Sequence, residues 1–121
     1  MKKTDAVAAW RMKIVHSCET SILRQVAIDR MQAYQQNPSG ATISHENAAG
    51  IEVVTVEWMR AKFVVVLGFH PGTVMVAIKV PAAFRLFQSV IQDRVRAEIT
   101  QVVERAGGEL ISLTDAAGND L

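Results

Sequence analysis

Hydrophobic and polar positions alternate most regularly between residues 51 and 80, with the two-residue period of a β-strand. Short junctions at Met59-Arg60 and Pro71-Gly72 interrupt the alternation. They divide it into three predicted strands, Ile51–Trp58, Ala61–His70 and Thr73–Val80. Folded back at these junctions, the strands form an antiparallel sheet in which Glu57 lies opposite Lys62.

The alternation assigns each side chain of the predicted sheet to one of two faces, and the two faces differ. The first face is apolar throughout and comprises Val54, Val56, Trp58, Phe63, Val65, Leu67, Phe69, Val74, Val76, Ile78 and Val80. The second face is apolar only in its centre, which comprises Val53, Val64, Val66, Met75 and Ala77. We therefore expect helices to cover the first face. The second, with its polar margin, has the pattern of a surface that binds a partner.

Two long helices are predicted, one before and one after the sheet. The first spans Thr4–Gln36, with Thr4 as its N-cap, and ends at Asn37-Pro38. The second spans Pro81–Ala106 and ends at Gly107-Gly108. Its apolar residues form one stripe, Phe84, Phe87, Ile91, Val95, Ile99, Val102 and Ala106. This stripe is expected to pack on the apolar face of the sheet.

The first predicted helix carries two apolar stripes rather than one. One stripe comprises Ile14, Val15, Cys18, Ile22 and Val26. The other lies towards the C-terminal end and comprises Leu23, Ala27, Met31 and Tyr34. A single helix could pack on its own sheet with one stripe and on a second molecule with the other. A break within the segment would produce the same pattern, so both interpretations stay open.

The predicted fold class is a two-layer α+β domain spanning residues 1–121, with both helices on one face of a three-stranded antiparallel sheet. Residues 37–50 are small and polar, and we interpret them as a long loop, with a short edge strand at 41–46 as the alternative. Residues 109–114 could form a further strand, which would give the sheet four or five strands. Residues 115–121 are predicted to be a flexible tail.

Composition and charge narrow the class of protein. Half of the residues are hydrophobic and 21% are charged, with 13 basic and 12 acidic residues that leave a net charge of +1. This globular, balanced composition disfavours a nucleic-acid partner, which requires basic residues concentrated on one face. The longest apolar run, Phe63–Phe69, has the length of a strand, so a membrane partner is not expected. Charged residues also interrupt any signal-peptide region after Lys2 and Lys3, and the single Cys18 allows no internal disulfide; we expect a cytoplasmic protein.

No motif in the chain predicts a catalytic, cofactor or metal site. His16 and Cys18, two positions apart on a helix, would point away from each other and could not bind the same ion. The segment Ser44–Glu46 contains the residue types of a catalytic triad, but consecutive residues rarely meet in that geometry. His70 precedes a turn, and we interpret it as a turn residue rather than a proton-transfer group.

The sequence therefore favours a non-enzymatic protein that acts through protein–protein contact, as an adaptor, a chaperone-like carrier or a toxin-neutralising partner. We also predict a homodimer, because two apolar patches would otherwise face water. The predicted interface comprises the sheet centre (Val53, Val64, Val66, Met75 and Ala77) and the stripe of Leu23, Ala27, Met31 and Tyr34. The alternative function is a small-molecule binding module or small enzyme with a pocket near Trp58, His45 and His70.

Overall fold

Backbone hydrogen bonding divides the chain into strands and helices whose order differs from the predicted one at the N-terminal end. The computed structural model describes residues 7–36, 41–58, 60–115 and 117–120. Within these ranges the elements are β1 (Val7–His16), α1 (Thr20–Gln36), β2 (Ala41–Ala48), β3 (Ile51–Trp58), β4 (Ala61–His70), β5 (Thr73–Pro81), α2 (Gln88–Arg105) and β6 (Leu110–Asp115). A 3-10 turn at Ala82–Phe87 connects β5 to α2.

The strands form one six-stranded sheet in the order β2-β3-β4-β5-β1-β6, and each neighbouring pair is antiparallel. Both helices contribute to a core on one face of this sheet, α1 through Leu23 and α2 through Val103. The prediction of an α+β fold with an antiparallel sheet is therefore confirmed. The predicted strand number of three, with four or five as alternatives, is wrong because β1 forms a strand where a helix is predicted; β2 and β6 correspond to the two strands given as alternatives.

The central meander β3-β4-β5 has the predicted register and the predicted faces. Glu57 lies opposite Lys62 in the β3-β4 pair, and Val65 lies opposite Ile78 in the β4-β5 pair. On the face that the helices cover, Val54, Val74, Val76, Ile78 and Val80 are buried. Phe63, Val65, Leu67 and Phe69 pack against that core as half-buried side chains. Burial of this apolar face is the main driving force that holds the two layers together.

The N-terminal segment is a strand followed by a helix, so the single helix Thr4–Gln36 is wrong and the break within it is what the structure contains. Thr4 itself lies outside the described residues. Met12 and Ile14 are 1% and 2% exposed, whereas Arg11 before them and Lys13 between them are exposed, as a strand requires. β1 lies between β5 and β6, where backbone pairing on both sides favours the extended conformation over helix.

Two further segments differ from their predicted form. The segment interpreted as a loop at 37–50 is largely the edge strand β2, paired with β3 along its full length, while residues 37–40 lie outside the described part. The predicted tail at 115–121 begins within β6. There the Asp115 carboxylate accepts hydrogen bonds from the backbone N–H groups of Ala117 and Asn119, both at 2.9 Å. An isolated bridge between Thr114 and Asp120 continues the chain along the sheet edge.

The junction between β1 and α1 packs tightly against the segment that follows α2. Cys18 is 8% exposed, and its thiol donates to the carbonyl oxygen of Val103 at 3.5 Å. The backbone N–H of Glu109 donates to the hydroxyl of Ser17 at 2.8 Å. Gly108 lies so close to Cys18 that a Cβ atom added there would be 2.5 Å from the sulfur. Position 108 therefore has no room for a side chain.

Candidate functional site

The face of the sheet opposite the helices is the candidate functional site, and we call it the open face. Its side chains line up across the strands because the pairing places them in rows. The central row runs from β2 to β1 and comprises Glu46, Val53, Val66, Ala77 and Arg11. The next row comprises Ala48, Ile51, Gly68, Met75 and Lys13. Apolar residues thus occupy the three middle strands, and charged residues stand at the ends of the central row.

The apolar centre of the open face is accessible to water in the single chain. Met75 and Ile51 are 46% and 41% exposed, whereas the core residue Val76, next to Met75 on β5, is 2% exposed. Val64 and Val66 on β4 are half-buried, because neighbouring strands shield them but nothing in the described chain lies above them. A contiguous apolar surface of this kind is uncommon on monomers and is typical of binding surfaces.

A shallow depression interrupts the open face where Gly68 provides no side chain. Its walls include Ile51, Val66, Met75 and His70. A Cβ atom added to Gly68 would come no closer than 3.5 Å to any atom outside its chain neighbours, so the missing side chain is not required by the packing. The depression is therefore a feature of the surface shape rather than a consequence of core packing.

Charge is distributed unevenly over the open face. Arg11, Lys13 and Lys79 lie on the β5-β1 side, and Glu46 lies on β2 at the other side. Glu57 on β3 stands opposite Lys62 on β4, so these two charges offset each other. Within the described residues, neither Arg11 nor Glu46 forms an ion pair. The two sides of the apolar centre consequently carry opposite charge.

The α1 part of the predicted interface includes residues that make contacts within the chain. Leu23 is 2% exposed and lies in the core, so it has no surface to offer a second chain. The hydroxyl of Tyr34 donates to the Glu98 carboxylate at 2.5 Å, and Arg30 pairs with the same carboxylate at 2.6 Å. The Arg30 and Tyr34 bonds outweigh the opposing effect of burial and lower the pKa of Glu98. Ala27 and Met31 are half-buried along this side of α1, and the stripe is therefore left out of the interface proposed below.

The three residues of the alternative pocket do not come together. His45 on β2 lies on the covered face, opposite Val54. Trp58 lies on the same face but at the far end of β3, and it is 43% exposed. His70 lies on the open face, at the end of β4, where it lines the depression. The structure therefore provides no pocket lined by two of these side chains within the described residues.

The consecutive residues Ser44, His45 and Glu46 cannot act as a catalytic triad in this structure. They lie on β2, where successive side chains point to opposite faces of the sheet. His45 points under α1 and its Nε2 contacts Glu52, while Ser44 and Glu46 are exposed on the open face. The nucleophile and the base of the supposed triad thus lie on opposite sides of the sheet.

Sequence reasoning missed a buried carboxylate beneath α1. Glu52 on β3 is fully buried and accepts hydrogen bonds from Arg24 on α1, at 2.8 Å from Nε and 2.5 Å from Nη2. Asn47 on β2 donates to the same oxygen at 2.5 Å, and His45 contacts the other. Burial alone would raise the pKa of Glu52, but the bonds from His45, Arg24 and Asn47 outweigh it and lower the pKa.

The Glu52 cluster is structural in character, because each carboxylate oxygen already has a partner. It ties the edge strand β2 and the helix α1 to the sheet through one anion. The cluster could have been found from the position of Glu52 in the sequence. In the alternating pattern of β3, Glu52 lies on the same face as the apolar residues Val54 and Val56. A lone acidic residue on an otherwise apolar face requires a buried cationic or amide partner.

His16 and Cys18 also lie close together, but in a backbone-directed contact. The backbone N–H of Cys18 donates to Nδ1 of His16 at 3.1 Å, so Nε2 carries the ring proton. Nε2 is buried and has no hydrogen-bond partner among the described residues. Burial lowers the pKa of His16 and raises the pKa of the Cys18 thiol. Both groups are therefore expected to remain neutral near pH 7.

The neutral state of His16 predicts a specific pH dependence of stability. Because the folded-state pKa lies below the ordinary value of 6.5, only the unfolded chain takes up this proton as the pH first falls below 6.5. The contribution of neutral His16 to the stability of the fold is therefore fully present above pH 6.5 and is lost as the pH falls below it. We expect His16→Asn, which keeps an acceptor for the Cys18 N–H, to flatten the decline in urea midpoint between pH 7.5 and 5.5. His70→Asn, at an exposed position, is the control, and unchanged profiles for both variants would contradict the prediction.

A second exposed apolar patch, also missed, lies where the 3-10 turn meets α2. Leu86, Phe87 and Val90 are 92%, 53% and 65% exposed. Phe87 was expected in the buried stripe of the second helix, but only its neighbour Phe84 reaches the sheet, edge-on to Phe63 at 5.0 Å between ring centroids. The four-residue spacing of Leu86 and Val90 outside that stripe is the signal that could have found this patch.

Comparison with known proteins adds no relative: no family model, no curated protein and no solved structure matches the chain. Among the described helices, none is long and apolar enough to cross a membrane.

Proposed function

We propose that the protein acts through protein–protein contact at its open face, as a non-catalytic adaptor, chaperone-like carrier or toxin-neutralising partner, and that its first partner is a second copy of itself. The observation that carries this proposal is the water-exposed apolar centre on β3, β4 and β5, opposite the helix-covered face. A core-facing strand surface on one side and an uncovered apolar surface on the other is the arrangement of a sheet that receives a second layer.

Two observations support contact rather than chemistry as the role of this face. Its polar groups are separated by apolar side chains, so they do not converge on one point as catalytic groups must. Its one depression is shallow and includes a single titratable ring, that of His70, together with Arg11 at its margin. The cytoplasmic location remains a prediction, and the buried, unpaired Cys18 is compatible with it.

The replacement Val64→Asp is expected to convert a self-associated protein into a monomer. Val64 lies on β4 in the middle of the open face, with Lys79 as its cross-strand neighbour on β5. Association would have to take the introduced aspartate out of water against an apolar surface, and the cost of that desolvation exceeds what the pair with Lys79 returns. Sedimentation velocity over a dilution series measures the change, and far-ultraviolet circular dichroism checks that the variant is folded.

Gln101→Asp provides the control, because Gln101 is exposed on α2, on the other side of the sheet from the open face. It should leave the association unchanged. If the unmodified protein sediments as a monomer at roughly tens of micromolar, self-association through this face is excluded. If it self-associates and Val64→Asp is folded and still associated, the open face is not the site of contact.

A further inference from the structure

The central row of the open face carries a base at one end and an acid at the other. Arg11 on β1 and Glu46 on β2 are both exposed. Four strand spacings separate them, which corresponds to about 19 Å, so they are too far apart to pair within one chain. Between them lie Val53, Val66 and Ala77, which offer only apolar surface. A pair of this kind is complementary to a second copy of the same row when that copy is turned end for end.

Two symmetric arrangements bring two open faces together. A two-fold axis parallel to the strands, passing along β4, exchanges the two ends of each row. A two-fold axis that runs along the row, across the strands, leaves each end opposite its own copy. The first arrangement sets Arg11 of each chain against the partner's Glu46. The second sets Arg11 against the partner's Arg11 and Glu46 against the partner's Glu46, and such like-charge contacts disfavour association.

We propose that two chains pack open face to open face about a two-fold axis parallel to β4, with Arg11 of each chain paired with the partner's Glu46. This inference rests on the proposed function and specifies its geometry. In the same arrangement Val66 meets the partner's Val66 on the axis, and Ile51 meets the partner's Met75. Lys62 meets the partner's Lys62 at the exposed end of β4, where Glu57 of each chain lies beside it and offsets the like charges. The projecting Met75 side chain then lies beside the partner's depression at Gly68, where there is room for it.

The size of the open face suits a stable dimer. The five strands from β2 to β1 overlap in this arrangement. They span about 19 Å and are about 30 Å long, which gives roughly 600 Å² for each chain. Standard interfaces bury roughly 800 Å² for each partner. Two sheets that pack face to face keep their strands within about 30° of each other, which is compatible with an axis close to the direction of β4. The overlapping part of the open face therefore provides most of the area of a standard interface.

A charge-exchange experiment tests the axis directly. Glu46→Arg places arginine opposite arginine, and Arg11→Glu places glutamate opposite glutamate, at two symmetric contacts in each dimer. Each variant alone is expected to raise the dimer dissociation constant at least about tenfold at low salt, less at high salt. An equimolar mixture of the two should form a heterodimer, because every contact then joins opposite charges again. Native mass spectrometry detects that heterodimer, and its formation also shows that both variants are folded.

Lys13→Glu is the matched control, since Lys13 lies two residues from Arg11 on the same strand and faces the partner's Ala48 in this arrangement. Lys13→Glu alone should associate like the unmodified chain, and it should form a heterodimer with Glu46→Arg no more readily than the unmodified chain does. A mixture of Glu46→Arg and Arg11→Glu that stays unassociated would overturn the inference, as would unaltered association of the single variants. Tighter association of Glu46→Arg with the unmodified chain would point to the other axis. If Val64→Asp still abolishes self-association in either case, the proposed function stands and only the geometry fails.

Discussion

Replacement of Glu52 by alanine is expected to lower the free energy of unfolding by about 3 kcal/mol. The substitution removes an anion that accepts hydrogen bonds from Arg24 and Asn47 and contacts His45, and it leaves these groups beneath α1 without their partner. Arg24 retains access to water because its side chain is 43% exposed, which keeps the effect below that of a fully buried cation. Urea unfolding followed by tryptophan fluorescence measures the difference.

Glu57→Ala is the matched control for Glu52→Ala, because Glu57 lies on the same strand but is exposed on the open face. Its effect should stay within about 0.5 kcal/mol. The pH dependence offers a second check. The pKa of Glu52 is below its ordinary value of 4.5, so its stabilisation is present above that pH and is lost as the pH falls through the folded-state pKa. The difference between Glu52→Ala and the unmodified protein should shrink there, and a difference independent of pH would contradict the role of the charge.

Gly108→Ala is expected to destabilise the protein by about 2–3 kcal/mol through overpacking. The added Cβ atom would lie 2.5 Å from the sulfur, 2.9 Å from the backbone nitrogen and 3.1 Å from the Cα atom of Cys18. Two of these three atoms belong to the backbone, so a change of side-chain rotamer cannot relieve the contact. Thermal unfolding measures the loss as a lower midpoint.

Two further variants show whether the contact with Cys18 causes the loss at position 108. Gly68→Ala adds the same methyl group where the nearest atom is 3.5 Å away, and it should leave the midpoint unchanged. Cys18→Ala combined with Gly108→Ala removes only the contact with sulfur, and it should therefore recover only part of the loss. A Gly108→Ala protein as stable as the unmodified chain would show that the junction can adjust.

The meander could be predicted from the sequence because alternation and turn positions agree there. Val54 and Val74 lie on the covered face and Val64 on the open face, as their positions in the alternating pattern require. β1 also alternates, because Arg11 and Lys13 separate the apolar residues Trp10, Met12 and Ile14. Its alternation was obscured because Ile14 is followed by apolar residues at helical spacing in the neighbouring α1. The two apolar stripes of the predicted helix arise because the segment contains two elements, β1 and α1.

β2 and the Glu52 cluster could not be predicted from hydrophobicity. β2 contains one large apolar residue, Ile43, because its covered face lies under the polar side chains of α1 rather than over the core. Gln35 of α1 donates to the backbone carbonyl of Ile43 at 3.1 Å, and Arg24 reaches Glu52 one strand further in. A strand stabilised by backbone pairing and polar contacts shows no alternation of hydrophobic residues in its sequence. The side chains of α1 that contact it can be identified only from the folded structure.

The position of β1 in the sheet has a consequence for synthesis of the chain. Trp10 pairs with Ile78 and Ile14 with Leu113, so both neighbours of β1 leave the ribosome long after β1 itself. Until then its two backbone edges are unpaired and its apolar side chains are uncovered, which is the condition in which strands aggregate. The hairpins from β2 to β5 involve only nearby residues and can form first. Capture of β1 between β5 and β6 is therefore expected to be the late, slow step of folding, and the nascent N-terminal segment the part most in need of a chaperone.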